Sequence, residues 1–341
     1  MNTDVNNLSG KTDNNYIQHQ AYLSAVFRYS ITPTLSASVA EDISYSALHG
    51  NNYNNERPQR REIIGAYRIK YANERVTMVA GVNHIHTTDI DINRLSPSIA
   101  ANMQLIPDWG VSMRASAKEA VRIPTFNDLY FEQVGRRDLK PEKARLYSAG
   151  AVWSREFSNL DATIYSDFFY NDITDKISAV PGKSIAMWMM RNIGHTISRG
   201  VESGTEVSAI CNKSRITLSA SYTYQRAMDK TNPSGTTFNH QLPYTPRHSG
   251  SAILTIETPH LCGSLNSFAS GSYYSNSYNG KEYRMSPYSE TGISLWRVFR
   301  LNRASIQLRT EVINLFNTEY ELVTNYPMPG RQFRTGINIS L

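Results

Sequence analysis

The chain has 341 residues, of which 40% are hydrophobic, 11% aromatic and 19% charged, with a formal net charge of +6. No run of about 18 apolar residues occurs, which excludes a bundle of transmembrane helices. Two cysteines cannot staple a chain of this length, and the apolar content is too high for disorder. The positive excess is mild and unclustered, so nucleic acid is not expected as a partner. Tyrosine (21) outnumbers phenylalanine (11), which suits rings at a membrane interface.

Alternation with period two runs along the whole chain and predicts strands with one apolar and one polar face. At 216–224, for example, Ile216 and Leu218 alternate with Thr217 and Ser219. Most of these strands reach the about 9–11 residues that a tilted strand needs to cross a bilayer, whereas strands in soluble proteins usually have about 5–6. The predicted strands are, in chain order, 17–30, 35–48, 60–71, 76–88, 94–106, 111–123, 142–155, 159–172, 196–212, 214–228, 247–257, 263–276, 288–300, 303–316 and 331–341.

The connections between these strands alternate strictly between short and long. Bacterial outer-membrane barrels have tight periplasmic turns and long extracellular loops, so the order predicts an all-β fold, an antiparallel transmembrane β-barrel. The short turns lie near 32–34, 72–75, 107–110, 156–158, 212–213, 259–262 and 301–302. The long polar connections lie near 49–59, 89–93, 124–141, 173–195, 229–246, 277–287 and 317–330.

The parity of the strands bears on the domain organisation. The first and last predicted strands both run inward, and about fifteen strands cannot close the even-numbered barrel typical of bacteria. At least one outward strand is therefore expected before the first one. Residues 1–16 are polar, rich in turn-forming residues and unlike a secretory signal peptide. We interpret them as the remnant of an extracellular loop, and residues 17–341 as the C-terminal portion of the barrel.

An ordered set of short motifs resembles the barrel of TonB-dependent outer-membrane receptors, and the first of them is most similar to cobalamin and ferric-siderophore receptors. The motifs are Val121–Phe131 (VRIPTFNDLYF) with Val134-Gly135 and Leu139–Glu142, Asn192-x-Gly194 with Gly200–Glu202, Leu242–His248 (LPYTPRH), Glu311–Glu321 (EVINLFNTEYE) and Asn325–Arg331 (NYPMPGR). Their order and spacing span about 121–341.

The resemblance implies a 22-stranded barrel with a plugged lumen, of which this chain holds about fifteen strands without the plug. It implies a receptor in the bacterial outer membrane for TonB-dependent uptake of a large scarce nutrient, cobalamin or a ferric siderophore. The expected partners are the TonB energy-transducing complex (through the plug region), outer-membrane lipid and lipopolysaccharide, and the nutrient itself. No cofactor is expected. The chain ends in Leu341, where the family usually has an aromatic residue.

Aromatic residues mixed with arginine in the outer loops are the candidate ligand contacts, because planar cations and rings suit a large anionic or amphipathic ligand. Loop packing and lipopolysaccharide contact are the alternative roles. The candidates are Phe126, Tyr130, Phe131, Arg136 and Arg137 in one loop, Tyr278, Tyr283 and Arg284 in a second, and Tyr326 and Met328 in a third.

His84 and His86 lie two residues apart and so point to one side of a strand near its outer end. They are weak candidates for a metal site, because two ligands are too few for a closed one. Cys211 and Cys262 both fall at the short-turn end, where an oxidising periplasm could join them, although two unpaired thiols are the default.

No nucleophile constellation occurs, so we do not expect an enzyme, although His240 and His248 leave an outer-membrane hydrolase open. Two further alternatives remain, a passive porin-like or sugar channel of the outer membrane and an all-β surface adhesin.

Overall fold

The computed structural model describes residues 15–53, 56–132, 134–181, 188–300 and 304–340. Within these residues, fifteen strands form one antiparallel sheet, and each strand pairs with the next of the set along the chain. The strands of this sheet are β1 (Tyr16–Ser30), β2 (Leu35–Gly50), β3 (Gln59–Ala72), β4 (Val76–Thr87), β5 (Ile92–Ile106), β6 (Val111–Arg122), β7 (Glu142–Glu156), β8 (Leu160–Pro181), β9 (Trp188–Cys211), β10 (Ser214–Asp229), β11 (His248–Glu257), β12 (Cys262–Ser270), β15 (Tyr288–Arg300), β16 (Ser305–Ile313) and β19 (Gln332–Ser340).

The long connections contain the remaining elements. A short helix, α1 (Phe126–Tyr130), follows β6. Two small hairpins pair β13 (Tyr273–Tyr274) with β14 (Arg284–Met285) and β17 (Glu321–Val323) with β18 (Tyr326–Pro327). No helix in the described part of the chain is long and apolar enough to cross a membrane.

The two faces of the sheet differ in chemistry, because side chains alternate along each strand. On β3, Ile63, Tyr67, Ile69 and Tyr71 share one face and are 39–57% exposed. In register, Ile63 lies between Ile43 on β2 and His86 on β4. We call this side the apolar face and the opposite side the polar face. An exposed apolar surface that continues from strand to strand marks contact with lipid.

Short turns close the hairpins at one end of the strands, as the sequence predicts. Ile31 donates a backbone hydrogen bond to the carbonyl of Leu35 (2.8 Å) between β1 and β2. A single turn of 3₁₀ helix at Pro107–Trp109 joins β5 and β6 and ends at Gly110, whose φ is +68°. A Cβ on Gly110 would lie 1.9 Å from the carbonyl oxygen of Ser154, so only glycine fits there.

The chain divides into two compact units, and most of its buried side chains lie towards the long-loop ends of the strands. The first unit comprises Met1–Met103, Ala115–Tyr147 and Asn171–Thr196, and the second comprises Gln104–Arg114, Ser148–Tyr170 and Ile197–Leu341. A buried cluster of Leu129, Leu139 and Ile177 forms the core of the first unit. In the second unit, the buried residues include Met228, Leu242 and Tyr273.

The structure corrects the predicted strand bounds in two regions. The sequence predicts a polar loop over 173–195, whereas β8 continues to Pro181 and β9 begins at Trp188. The extension of β8 is stabilised because Ile177 is buried in the core of the first unit and its backbone N–H donates to the carboxylate of Glu142 (3.0 Å). The predicted strand 263–276 also ends earlier, at Ser270. The predicted loop remnant at 1–16 lies outside the described residues up to residue 14, and Tyr16 already belongs to β1.

Candidate functional site

The loop between β6 and β7 in the first unit begins with α1, and its local sequence explains the helix. The hydroxyl of Thr125 accepts from the backbone N–H of Asp128 (3.1 Å), while the Asp128 carboxylate accepts from the N–H of Thr125 (2.9 Å). This reciprocal pair is a capping box. Arg122, the last residue of β6, donates to Asp128 (3.2 Å) and to the carbonyl of Ile177 (3.1 Å). The loop therefore starts from a fixed position.

Arg60, a buried arginine on β3, stabilises the start of the loop between β6 and β7. Arg60 on β3 donates from Nε to Asp89 (2.8 Å) and from Nη2 to the carbonyl of Pro124 (2.8 Å). Its guanidinium lies 5.1 Å from the ring centroid of Phe126. The side chains of Arg60 and Asp89 are only 9% and 4% exposed, so the charge pair is almost fully desolvated. Phe126, a predicted ligand contact, thus has an intramolecular cation as a neighbour.

The two predicted ligand-binding arginines of this loop have acidic partners within the first unit. Arg136 pairs with Asp138, and its guanidinium holds the pKa of that carboxyl below the usual range. Arg137 pairs with Glu56 and lies 5.5 Å from the ring of Tyr130. Both cations therefore already have a counter-charge.

The aromatic side chains of the same loop pack on each other and on a neighbouring loop. Phe131 meets Tyr53 edge to face, with ring centroids 5.8 Å apart, and Phe126 meets Tyr130 at 6.1 Å. Tyr53 donates through its hydroxyl to Asn127 (2.5 Å). Burial raises the pKa of Tyr130. These contacts give Phe126, Tyr130 and Phe131 a role in packing.

In the second unit, three loops meet around the buried side chain of Tyr273, which is 4% exposed. Its ring lies 6.2 Å from that of Tyr244, and its hydroxyl donates to the carbonyls of Glu321 (3.2 Å) and Leu322 (3.1 Å). Burial raises the pKa of Tyr273. Asn279 adds a second tie, since its amide donates to the carbonyl of Gln241 (2.9 Å). One side chain thus joins the connections that follow β10, β12 and β16.

The remaining predicted contacts lie on these joined loops. Tyr278, Tyr283 and Tyr326 are 63%, 43% and 71% exposed. Arg284 donates to the hydroxyl of Ser272 (2.8 Å), and Met328 is half-buried, with its N–H bonded to the carbonyl of Tyr320 (2.9 Å). The three exposed tyrosines therefore present apolar ring faces and hydroxyls at the long-loop end.

The comparison with known proteins decides the family. A family model described as TonB dependent receptor-like, beta-barrel matches residues 2–315. The chain belongs to this family. Barrels of the TonB-dependent receptor family lie in bacterial outer membranes. The resemblance of the sequence motifs to this family and the predicted β-barrel class are both confirmed.

Individual relatives support the same family. The chain is 25% identical over 169 residues to a vitamin B12 transporter of Vibrio vulnificus (strain YJ016), a match that covers 50% of this chain and 27% of that protein. The siderophore receptor PirA from Acinetobacter baumannii is similar in fold, with a TM-score of 0.72 and 16% identity over 97% of this chain and 56% of its own. A mutant of the ferric enterobactin receptor from Pseudomonas aeruginosa is also similar in fold, with a TM-score of 0.73 and 15% identity over 95% of this chain and 54% of its own. The chain spans about half the length of these solved receptors.

Several residues of the TonB-dependent receptor motifs hold loops in place. The amide of Asn192 donates to the carbonyls of Lys140 (2.9 Å) and Asp175 (2.7 Å) and accepts from the N–H of Lys140 (2.8 Å). Asn314 is fully buried, donates to the carbonyl of Thr318 (2.9 Å) and accepts from its N–H (2.8 Å). These motif residues therefore act on loop geometry.

His84 and His86 share the apolar face of β4. In register, His84 lies opposite Leu95 and His86 opposite Asn93, and an imidazole nitrogen of His84 is 2.8 Å from the amide oxygen of Asn93. No group of three or more histidine, cysteine, aspartate or glutamate side chains within the described ranges could hold a metal ion. Cys211 and Cys262 are both free thiols.

The sequence did not single out an aromatic stack at the start of β15. Tyr288 and Tyr320 lie parallel, with centroids 4.4 Å apart and planes at 10°, and Tyr320 donates to Glu290 (2.6 Å). Burial, followed by this carboxylate, raises the pKa of Tyr320. The sequence shows these residues only as members of two different segments, so nothing in it reveals the stack.

Proposed function

We propose that this chain is the barrel part of an outer-membrane receptor that takes up cobalamin or a ferric siderophore with energy from the TonB complex. The family match over residues 2–315 carries the proposal. The relatives, a vitamin B12 transporter, a siderophore receptor and a ferric enterobactin receptor, support the nutrient class. The TonB complex would act through the plug region of the complete receptor. The role is binding and passage of a nutrient, without catalysis.

The nutrient is held, in this proposal, by the predicted outer-loop residues. The exposed rings of Tyr278, Tyr283 and Tyr326 support this most strongly, because they are free to cover an apolar or aromatic ligand surface. Arg284 and Met328 lie on the same joined loops. In the first unit, Arg136 and Arg137 have acidic partners, so they would bind an anion only by exchanging an existing ion pair. With Phe126, Tyr130 and Phe131 they form the second, better-packed ligand surface.

Lipopolysaccharide is the proposed lipid partner of the apolar face near the long loops. Cationic and titratable side chains lie there among apolar ones: Arg61 is exposed on the same face of β3 as Ile63, His86 lies opposite Ile63, and the side chain of Arg145 is 65% exposed. Such residues at the outer end of a barrel can pair with the phosphates of the outer leaflet.

Nutrient binding can be tested on cells that express the chain in the outer membrane, with radiolabelled cyanocobalamin and iron-labelled ferric enterobactin as probes. We expect one probe to be retained above the level of cells without the chain. A Tyr278→Ala, Tyr326→Ala double variant should lose most of the retained label. Tyr29→Ala is the matched control, because that ring is 61% exposed on the apolar face at the short-turn end. Retention of neither probe, or equal loss in the control, would contradict the proposal.

A further inference from the structure

A concave pocket of about 300 Å³ lies on the polar face of the second unit, near the long-loop ends of β10, β11, β12 and β15. Two rungs of the sheet build it. One rung runs through Thr223, Ser249, Ser270 and Tyr288, and the next runs through Ser221, Ser251, Phe268 and Glu290. The β10 and β11 side of the pocket is therefore made of small hydroxyl residues, and the β12 and β15 side is aromatic.

The hydroxyl side offers hydrogen bonds without charge. Ser221 and Ser251 lie 2.8 Å apart through their hydroxyls, and each keeps further donor or acceptor capacity. The lining residues carry no charged side chain. Glu290, in the same rung as Phe268, already accepts the hydroxyl of Tyr320 (2.6 Å). An anionic ligand would therefore gain no counter-charge from the residues that line this pocket.

The aromatic side is held rigid before any ligand binds. Phe268 stands edge to face against Tyr288, with centroids 5.5 Å apart and planes at 80°. Tyr288 is in turn stacked on Tyr320. Phe268 itself remains 38% exposed, so part of the ring is open to a ligand. A preorganised ring reduces the entropy lost on binding.

A second pocket on the same face differs from this one in charge. Closer to the short turns, the same polar face has a second pocket of about 210 Å³ that is lined by Asp161, Glu206 and Arg215 together with three hydroxyl residues. Charged side chains thus line this second pocket, whereas none lines the aromatic and hydroxyl pocket.

We propose that the pocket binds a neutral sugar ring, which would place a face of C–H groups against Phe268 and its hydroxyls on Ser221, Ser251 and Thr223. An exposed aromatic ring matches the apolar face of such a ring, and serine and threonine can both donate to and accept from its rim. A cavity of this size is at the lower end for small ligands, which suits one ring. The ring can belong to a free saccharide or to a larger sugar-bearing molecule. This site does not depend on which nutrient the receptor takes up.

The test uses the purified full chain in a detergent without a sugar headgroup, and measures saturation transfer by NMR to methyl β-D-glucopyranoside and methyl α-D-mannopyranoside. We expect transfer to at least one glycoside, reduced at least fivefold by Ser251→Val and by Phe268→Ala. Two matched controls lie on the apolar face. Ser203→Val alters a hydroxyl pair with Ser166 of the same 2.8 Å length, and Phe168→Ala removes a ring that is 52% exposed. Both should leave the transfer unchanged.

A comparison without variants keeps the proposal falsifiable if a substituted chain fails to fold. Glucuronate should show at least fivefold less transfer to the wild-type chain than the neutral glycosides. No transfer to any glycoside, equal transfer to glucuronate, or equal loss in the apolar-face controls would overturn the proposal. Displacement of the glycoside by lipid-free lipopolysaccharide core oligosaccharide at much lower concentration would assign the ring to a larger sugar-bearing molecule. Absence of such displacement would assign it to free saccharides.

Discussion

Asp167 on β8 lies directly over Gly150 on β7, and a Cβ on Gly150 would stand 2.2 Å from Oδ1 of Asp167. Because this space is empty, Asp167 reaches across β7 to Arg114 on β6, which donates to it from Nε (2.8 Å). The Arg114 guanidinium also lies 5.4 Å from the ring of Tyr165, and that ring covers Gly204 in the same way. Because Gly150 and Gly204 have no side chain, Asp167 and the ring of Tyr165 can lie over them. Both side chains contact Arg114, two strands away on the polar face.

We expect Gly150→Ala to destabilise the chain by about 1–3 kcal/mol, because the added methyl group meets both Asp167 and the carbonyl of Ser166. Denaturant unfolding in detergent measures the change. Gly336→Ala is the matched control, since a Cβ on that strand glycine has nothing within 4 Å. Equal effects of the two substitutions would show that loss of glycine, and not the close approach of Asp167, is responsible.

The buried pair of Arg60 and Asp89 should be costly to break on one side only. Arg60→Met or Asp89→Leu leaves an uncompensated buried charge, and each should lower the free energy of unfolding by about 3–5 kcal/mol. The double variant should recover a large part of that loss, which a double-mutant cycle measures. In the connection between β6 and β7, removing either member of the exposed Arg136–Asp138 pair should have little effect. Additive losses in the Arg60–Asp89 cycle would contradict the coupling.

The stack of Tyr320 on Tyr288 should make the second unit sensitive to alkaline pH. Burial, followed by the hydrogen bond to Glu290, raises the pKa of Tyr320 in the folded chain, whereas the unfolded tyrosine keeps a pKa of about 10. The contribution to stability is therefore complete below pH 10 and is lost as the pH rises above it. We expect the stability difference between wild type and Tyr320→Phe to shrink above about pH 10. Tyr326→Phe, at an exposed ring, is the control, and a difference that stays constant to pH 12 would refute this role.

The strands could be predicted from the sequence because alternation survives in almost every one of them. The prediction failed at β8 and β9, where Asp175 and Lys176 make the strand extension resemble a polar loop. The helix α1 was also missed, although Thr125 and Asp128 have the spacing of a capping box. Burial of Ile177 decides the first case, and burial depends on residues distant in sequence.

The contacts of the candidate site residues could not be predicted from the sequence, because they depend on how separate connections meet. Composition indicates which loops carry rings and cations, but it does not indicate which charges neutralise each other. Arg137 meets Glu56, and Arg60 meets Asp89, only because strand register brings separate connections together. The role of Gly150 likewise depends on the register of β7 and β8, which alternation alone does not fix.

The two cysteines allow a direct test of the orientation that places short turns in the periplasm. Cys211 is an exposed free thiol at the end of β9, whereas Cys262 is half-buried and its thiol lies 3.6 Å from the carbonyl of Thr258. In cells that carry the chain in the outer membrane, a membrane-impermeant maleimide should label Cys211 only after the outer membrane is permeabilised, and Cys211→Ser should remove most of the signal. On a cysteine-free background, Ser286→Cys in an exposed part of the long-loop end should react in intact cells. Full labelling of Cys211 in intact cells would reverse the orientation and with it the placement of the ligand loops outside.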